Sequence, residues 1–199
     1  MPSPPPNPDL TAAKARLRET MRAARAAIPT AERQAAAELI AERGLAFAAI
    51  PPASIIGAFM PIGEEINPLP LCAHLRAMGH AIALPRMIGK GKPVEFRLHN
   101  PGAPLETTIW GIREPTTSAA LVIPDVFLIP LLAFDAKGFR LGYGGGFYDR
   151  TLAATRAIKE IVTIGLAFDA QRVDAVPVAD YDERLDWILT PSGPQRSAP

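Results

Sequence analysis

Hydrophobic positions near the start of the chain recur at alternating intervals of three and four: Leu10, Lys14, Leu17, Met21, Ala24 and Ile28, with Lys14 at the edge of the stripe. This period predicts a helix over 11–28 with a thin apolar face. Its other faces are basic, carrying Arg16, Arg18, Arg22 and Arg25. Pro29 breaks the pattern, and Thr30 is a suitable N-cap for a second helix running to Ala49. From residue 54 short apolar runs alternate with helical stretches. Residues 54–60 read as a buried strand, Asn67-Pro68 opens a helix that Gly79 closes, and 81–87 is the next strand, together one parallel crossover unit. Residues 94–99 alternate, as an edge or antiparallel strand does. The most apolar run, 125–134, is assigned to the sheet centre. A helix over 147–158, a strand over 160–168 and a short strand over 187–190 follow. The pattern predicts one three-layer α/β domain over 10–190, its sheet mainly parallel but mixed and covered by helices on both faces. The proline-rich residues 1–9 and the tail 191–199 are expected to be flexible.

Composition narrows the functional classes. The chain has 199 residues, 48% of them hydrophobic, and 21 Lys and Arg against 20 Asp and Glu, a net charge of +1. A near-neutral body has no long-range attraction for nucleic acid or a membrane surface, so any anion site must be local. The single cysteine, Cys72, excludes an internal disulfide and a multi-cysteine zinc site, and its apolar helical setting marks it as a buried small hydrophobe. No signal peptide is apparent at the start, and no apolar run approaches the ~18–20 residues that cross a bilayer. A cytoplasmic monomer without nucleic-acid or membrane partners is expected.

The chemistry concentrates after the central strand, in Phe134-Asp135 and then Arg140-Leu141-Gly142-Tyr143-Gly144-Gly145-Gly146-Phe147-Tyr148-Asp149. Ligands of open α/β sheets bind beyond the carboxyl ends of the strands. Glycines there let backbone N–H groups approach an anion, and a following helix N-terminus adds partial positive charge, so a phosphate is the natural occupant. The segment matches neither the dinucleotide fingerprint nor the P-loop. Asp149, in the first helical turn, suits Mg²⁺, which takes one or two carboxylates together with phosphate oxygens. A second carboxylate is available in the acidic group Asp180, Asp182, Glu183 and Asp186. Glu64 and Glu65 follow another strand, where a polar ligand group would be held. Lys14 and Arg18, four apart, share a helix face and can reach an anion on the body of the fold, although a solvated basic face has the same spacing. The histidines lack metal spacing, and no G-x-S-x-G element points to acyl-enzyme chemistry.

At the glycine segment the chain resembles the 5-formyltetrahydrofolate cyclo-ligase family. The carrying residues are Pro130-Leu-Leu-Ala-Phe-Asp135 and Gly138-Phe-Arg-Leu-Gly-Tyr-Gly-Gly-Gly-Phe-Tyr-Asp149, supported by Lys14-Ala-Arg-Leu-Arg18, the Glu65 loop, Trp110-Gly-Ile-Arg-Glu-Pro115, Val176-Pro-Val178 and Asp186. The resemblance implies that ATP and 5-formyltetrahydrofolate become ADP, phosphate and 5,10-methenyltetrahydrofolate. It implies nucleotide contacts by Lys14, Arg18 and Arg140 to Tyr148, and magnesium positions at Asp149 and Asp186. Folate contacts are implied for Met60, Glu65, Trp110 and Tyr148, and catalytic roles for Arg140 and Asp149. Two positions depart from the family pattern: Gly145, where some members carry lysine, and Tyr181, often histidine in bacterial members. A sugar-phosphate isomerase or deaminase, and a non-catalytic phosphate sensor, are alternatives of similar architecture.

Overall fold

The computed structural model describes residues 8–108 and 111–198. Among these residues are four α-helices: α1 (Pro8–Ala26), α2 (Thr30–Arg43), α3 (Leu69–Ala77) and α4 (Phe147–Arg156). The strands in the first half are β1 (Ile55–Gly57), β2 (Ala81–Arg86), β3 (Glu95–Leu98), β4 (Leu105–Thr107), β5 (Arg113–Pro115) and β6 (Leu121–Val122). The second half supplies β7 (Val126–Pro130), β8 (Ala133–Phe134), β9 (Arg140–Leu141), β10 (Val162–Leu166), β11 (Trp187–Thr190) and β12 (Gly193–Arg196).

Eight strands form the main sheet, in the order β12-β11-β10-β7-β1-β2-β3-β6. The five from β11 to β2 run parallel, and β12, β3 and β6 are antiparallel to their neighbours. The central strand β7 shows why both faces are covered. Val126 and Leu128 point into a core with Ile40 of α2 and Leu71, Cys72 and Leu75 of α3. Phe127 and Ile129 point the other way, into a core with Leu152 of α4. This alternation with both faces apolar is what a parallel strand between helical layers requires. Cys72 is buried as expected, and burial pushes its thiol up to about 11. No described helix is long and apolar enough to cross a membrane.

Three expectations are corrected. The run 125–134 is not one strand. At Pro130 the chain leaves the main sheet, and β8 pairs instead with β9 in a separate hairpin whose Ala133 and Leu141 pack with Met21 of α1. Those residues stay buried, which is why the run reads as continuous. The tail is the second correction. Residues 193–196 form an antiparallel edge strand on β11, where Pro194 is tolerated because an edge strand has one side without ladder partners. Arg43 donates to the Pro191 carbonyl, and the Ser197 hydroxyl donates to the Leu185 carbonyl at 2.5 Å. Third, of the proline-rich start, Pro8 and Asp9 already belong to the first turn of α1, and residues 1–7 lie outside the described residues.

The β8–β9 turn is organised by Asp135, 4% exposed. Its Oδ1 accepts the Lys137 and Phe139 amides, and its Oδ2 accepts the Val176 amide. Gly138 completes the turn at φ +82°, and a Cβ there would lie 2.5 Å from the Leu185 carbonyl oxygen and closer still to Ser197. Gly138→Ala is therefore expected to destabilise the protein by at least the ~1–2 kcal/mol of a left-handed conformation, read as a fall in the urea midpoint.

Candidate functional site

The carboxyl ends of β1, β2 and β7 open onto two adjoining hollows. The larger, a cleft of about 350 Å³, lies over the glycine loop and is bordered by Lys14 and Arg18 of α1, Asp149 of α4, and Tyr181 and Asp182. The smaller is an apolar slot of about 110 Å³ lined by Met60, Met87 and Phe147, with Glu65 and Glu114 among its walls. Pro130, Tyr143, Phe147 and Tyr148 border both. The two hollows thus share a wall made by the end of β7 and the loop.

The loop is held from outside by cations. Arg18 Nε donates to the Gly142 carbonyl at 2.9 Å, and its terminal nitrogens have no hydrogen-bond partner among the described residues. Arg25 Nη1 donates to the Tyr143 hydroxyl at 2.6 Å, and Arg150 Nη2 donates to the Gly145 carbonyl. Lys14, by contrast, is ion-paired with Asp182, and its ammonium lies 5.8 Å from the Tyr181 ring centre. The departure at Gly145 has a local reason. A Cβ there would meet the Phe147 ring at 2.6 Å, so the ring occupies the space a side-chain stem would need.

Arg140 is buried under the loop. Its Nη2 donates to Asp149 Oδ1 at 2.7 Å and its Nη1 to the Glu183 carbonyl at 2.5 Å. Burial lowers its pKa, opposed by Asp149 and Asp182. Arg140 also borders the cleft, and its guanidinium holds Asp149 and the Glu183 carbonyl through one N–H of each terminal nitrogen. Asp149 Oδ1 also accepts the Glu183 amide, whereas its Oδ2 has no hydrogen-bond partner among the described residues.

Asp186 is also corrected. Its Oδ2 accepts both the amide and the hydroxyl of Thr163, each at 2.7 Å, at the amino end of β10. That is the opposite edge of the parallel strands, where Asp186 lines an open depression with Arg156 and Arg184. The member of the acidic group that borders the cleft is Asp182. Among the described residues no three His, Cys, Asp or Glu side chains form a metal cage. A single loop carboxylate instead suits a hard cation that takes most of its oxygens from phosphates and water.

In the slot, Glu65 Oε2 accepts the Ile62 amide at 2.8 Å. Burial raises the Glu65 pKa, opposed by contact with the Tyr143 hydroxyl, the Ile62 amide and the charge of Arg25. Met60 and Tyr148 lie in the slot wall, while Trp110 is outside the described residues. Two residues were missed. Arg25 is 5% exposed and continues the inward stripe Lys14, Arg18, Met21, Arg25, a spacing present in the sequence although its charge reads as a solvated face. Glu114 reaches the slot on the β4–β5 hairpin, for which nothing in the local pattern gave a signal.

A cleft over the glycine loop and an apolar slot lie on two sides of one wall at the carboxyl end of an α/β sheet. The chain belongs to the 5-formyltetrahydrofolate cyclo-ligase family, matched over residues 10–191. It is 32% identical over 178 residues to the 5-formyltetrahydrofolate cyclo-ligase of Escherichia coli, covering 86% of this chain and 97% of that one. With the enzyme of the same name from Mycolicibacterium smegmatis it shares 30% identity over 186 residues, covering 89% and 93%. The fold matches the 5,10-methenyltetrahydrofolate synthetase structure from Aquifex aeolicus with a TM-score of 0.78 at 24% identity, covering 94% of this chain and 93% of that one.

The raised Glu65 pKa has a signed consequence. An unfolded glutamate titrates near ~4.3, so the folded protein holds this proton more tightly. The associated stability is complete below that value and is lost as pH rises through the raised one. Thermal midpoints measured from about pH 4 to about pH 7 should fall less in Glu65→Gln than in the natural protein, because the amide still accepts from Ile62 but has no charge to bury.

Proposed function

We propose that this chain catalyses the ATP- and magnesium-dependent conversion of 5-formyltetrahydrofolate to 5,10-methenyltetrahydrofolate, releasing ADP and phosphate. The observation that carries the reading is the shared wall. It supports a nucleotide in the loop cleft and a folate head in the slot, with the γ-phosphate and the formyl oxygen meeting at Pro130, Tyr143, Phe147 and Tyr148.

The formyl group on N5 is an amide whose oxygen leaves poorly. Attack of that oxygen on the γ-phosphorus forms an O–P bond, breaks the β–γ bridge and releases ADP. The N10 lone pair then attacks the formyl carbon, N10 loses its proton, and the C–O bond breaks to release phosphate. No protein nucleophile is needed, because phosphoryl transfer is catalysed mainly by positioning and charge stabilisation. Loop amides from Gly142 to Tyr148, the N-terminus of α4 and the uncommitted end of Arg18 receive the phosphates. Lys14 contributes from the cleft rim, where Asp182 holds it. Magnesium, held by Asp149 with the nucleotide's own oxygens, would neutralise phosphate charge, and Arg140 orients that carboxylate. Met60, Glu65 and Tyr148 receive the folate head. Both hollows are built from one chain, so the working unit in this reading is a cytoplasmic monomer.

The test is the growth of methenyl-folate absorbance with and without ATP and Mg²⁺. Turnover is expected only with both, and an ATP-independent product or none would overturn the reading. Asp149→Ala is expected to lower magnesium-dependent kcat by at least about a hundredfold, on the scale of losing one electrostatic stabiliser of the transition state.

A further inference from the structure

Glu114 is the second acid of the apolar slot, and the reaction proposed above assigns it nothing. It is 2% exposed, on β5, in a hairpin beside the end of β2. Its Oε2 accepts the Met87 amide at 3.2 Å, which fixes the carboxyl against the chain leaving β2. Its Oε1 has no hydrogen-bond partner among the described residues, yet it is not among the buried atoms left unsatisfied. The small exposed area of this residue is therefore available at the slot, whose other walls at that end are Pro85, Met87 and Val94. Arg113, its neighbour in sequence, is exposed and also lines the slot, whereas Arg86 is engaged by Glu106 and the Pro115 carbonyl. The Met87 amide satisfies Oε2, and Oε1 keeps enough exposure at the slot to meet a donor from a ligand there.

Glu65 likewise sets Oε2 on a backbone amide, that of Ile62, and in addition meets the Tyr143 hydroxyl. The slot thus offers acid acceptors at two places between apolar faces. At about 110 Å³ it is far below the ~300–1,000 Å³ of a whole small-molecule site, so it takes a head group and leaves the rest of the ligand outside. A reduced pteridine fits this chemistry: a flat bicycle with ring N–H and exocyclic amino donors along its edges. We propose that Glu114 is a specificity-determining residue that accepts hydrogen bonds from N–H donors of the pteridine head, alongside Glu65. The inference rests on the folate reading of the slot and names a residue for it. Burial raises the Glu114 pKa, with the Met87 amide and Arg86 opposing.

Glu114→Gln isolates the slot-facing atom. The amide oxygen still accepts from Met87, because the flipped amide would set two donors against each other, and the group facing the slot becomes a donor. Binding of 5-formyltetrahydrofolate without nucleotide, followed by calorimetry, is expected to weaken about ten- to hundredfold, the scale of lost charge-assisted bonds. ATP affinity and the thermal midpoint should stay unchanged. Glu114→Asp, which keeps the acid but withdraws it by one methylene, should show the same split and serves if the glutamine variant does not fold. Equal weakening of both ligands with a lowered midpoint would make Glu114 a structural residue and overturn the proposal. So would unaltered folate binding in a variant whose parent binds and turns over folate. If the parent itself binds no 5-formyltetrahydrofolate, the folate reading falls and this one with it.

Discussion

A guanidinium buried beneath a loop must find acceptors, and that demand organises the working end of this protein. Arg140 lies on β9, in a hairpin outside the main sheet, yet its two terminal nitrogens reach α4 through Asp149 and the segment before β11 through the Glu183 carbonyl. The two ends of the glycine loop and a segment distant in sequence are thereby tied together. Asp135 does the same for the hairpin from below, accepting three backbone amides while almost fully buried. The loop between these anchors is short and glycine-rich, and its shape follows from where its ends are held.

The cations around the loop divide into two kinds. Arg25 and Arg150 contact loop groups and maintain its path, whereas Arg18 keeps a free end toward the cleft. Lys14 is paired with Asp182, which lowers the net charge a nucleotide would meet at that rim. Charge near the site is thus largely spent on construction. That agrees with a chain whose formal charges almost cancel and which has no need of a strong external field.

Much of this was legible in the sequence wherever a local rule sufficed. The alternation in β7, the crossover from β1 through α3 to β2, and the glycine loop before α4 each follow from period or composition within a few residues. What failed required knowledge of distant partners. Leu131 to Phe134 remain buried after Pro130, so hydrophobicity could not reveal that the chain had changed sheets. The strand at 193–196 is built from Gly, Pro, Gln and Arg, residues that read as a tail until β11 is present to pair with them. Asp182 and Asp186 are four apart in one acidic run, but strand register sends them to opposite edges of the sheet. Glu114 depends on a hairpin whose packing beside β2 no spacing announces.

The wall between the two hollows has a thermodynamic meaning. In the reading proposed above, Pro130, Tyr143, Phe147 and Tyr148 would present one side to each ligand, so a contact that one occupant makes with that wall would be felt by the other. Whatever factor one ligand gains from the other is returned in equal measure, because linkage between two binding equilibria is reciprocal. The partition that keeps the sites distinct is also the shortest route by which each can sense that the other is filled.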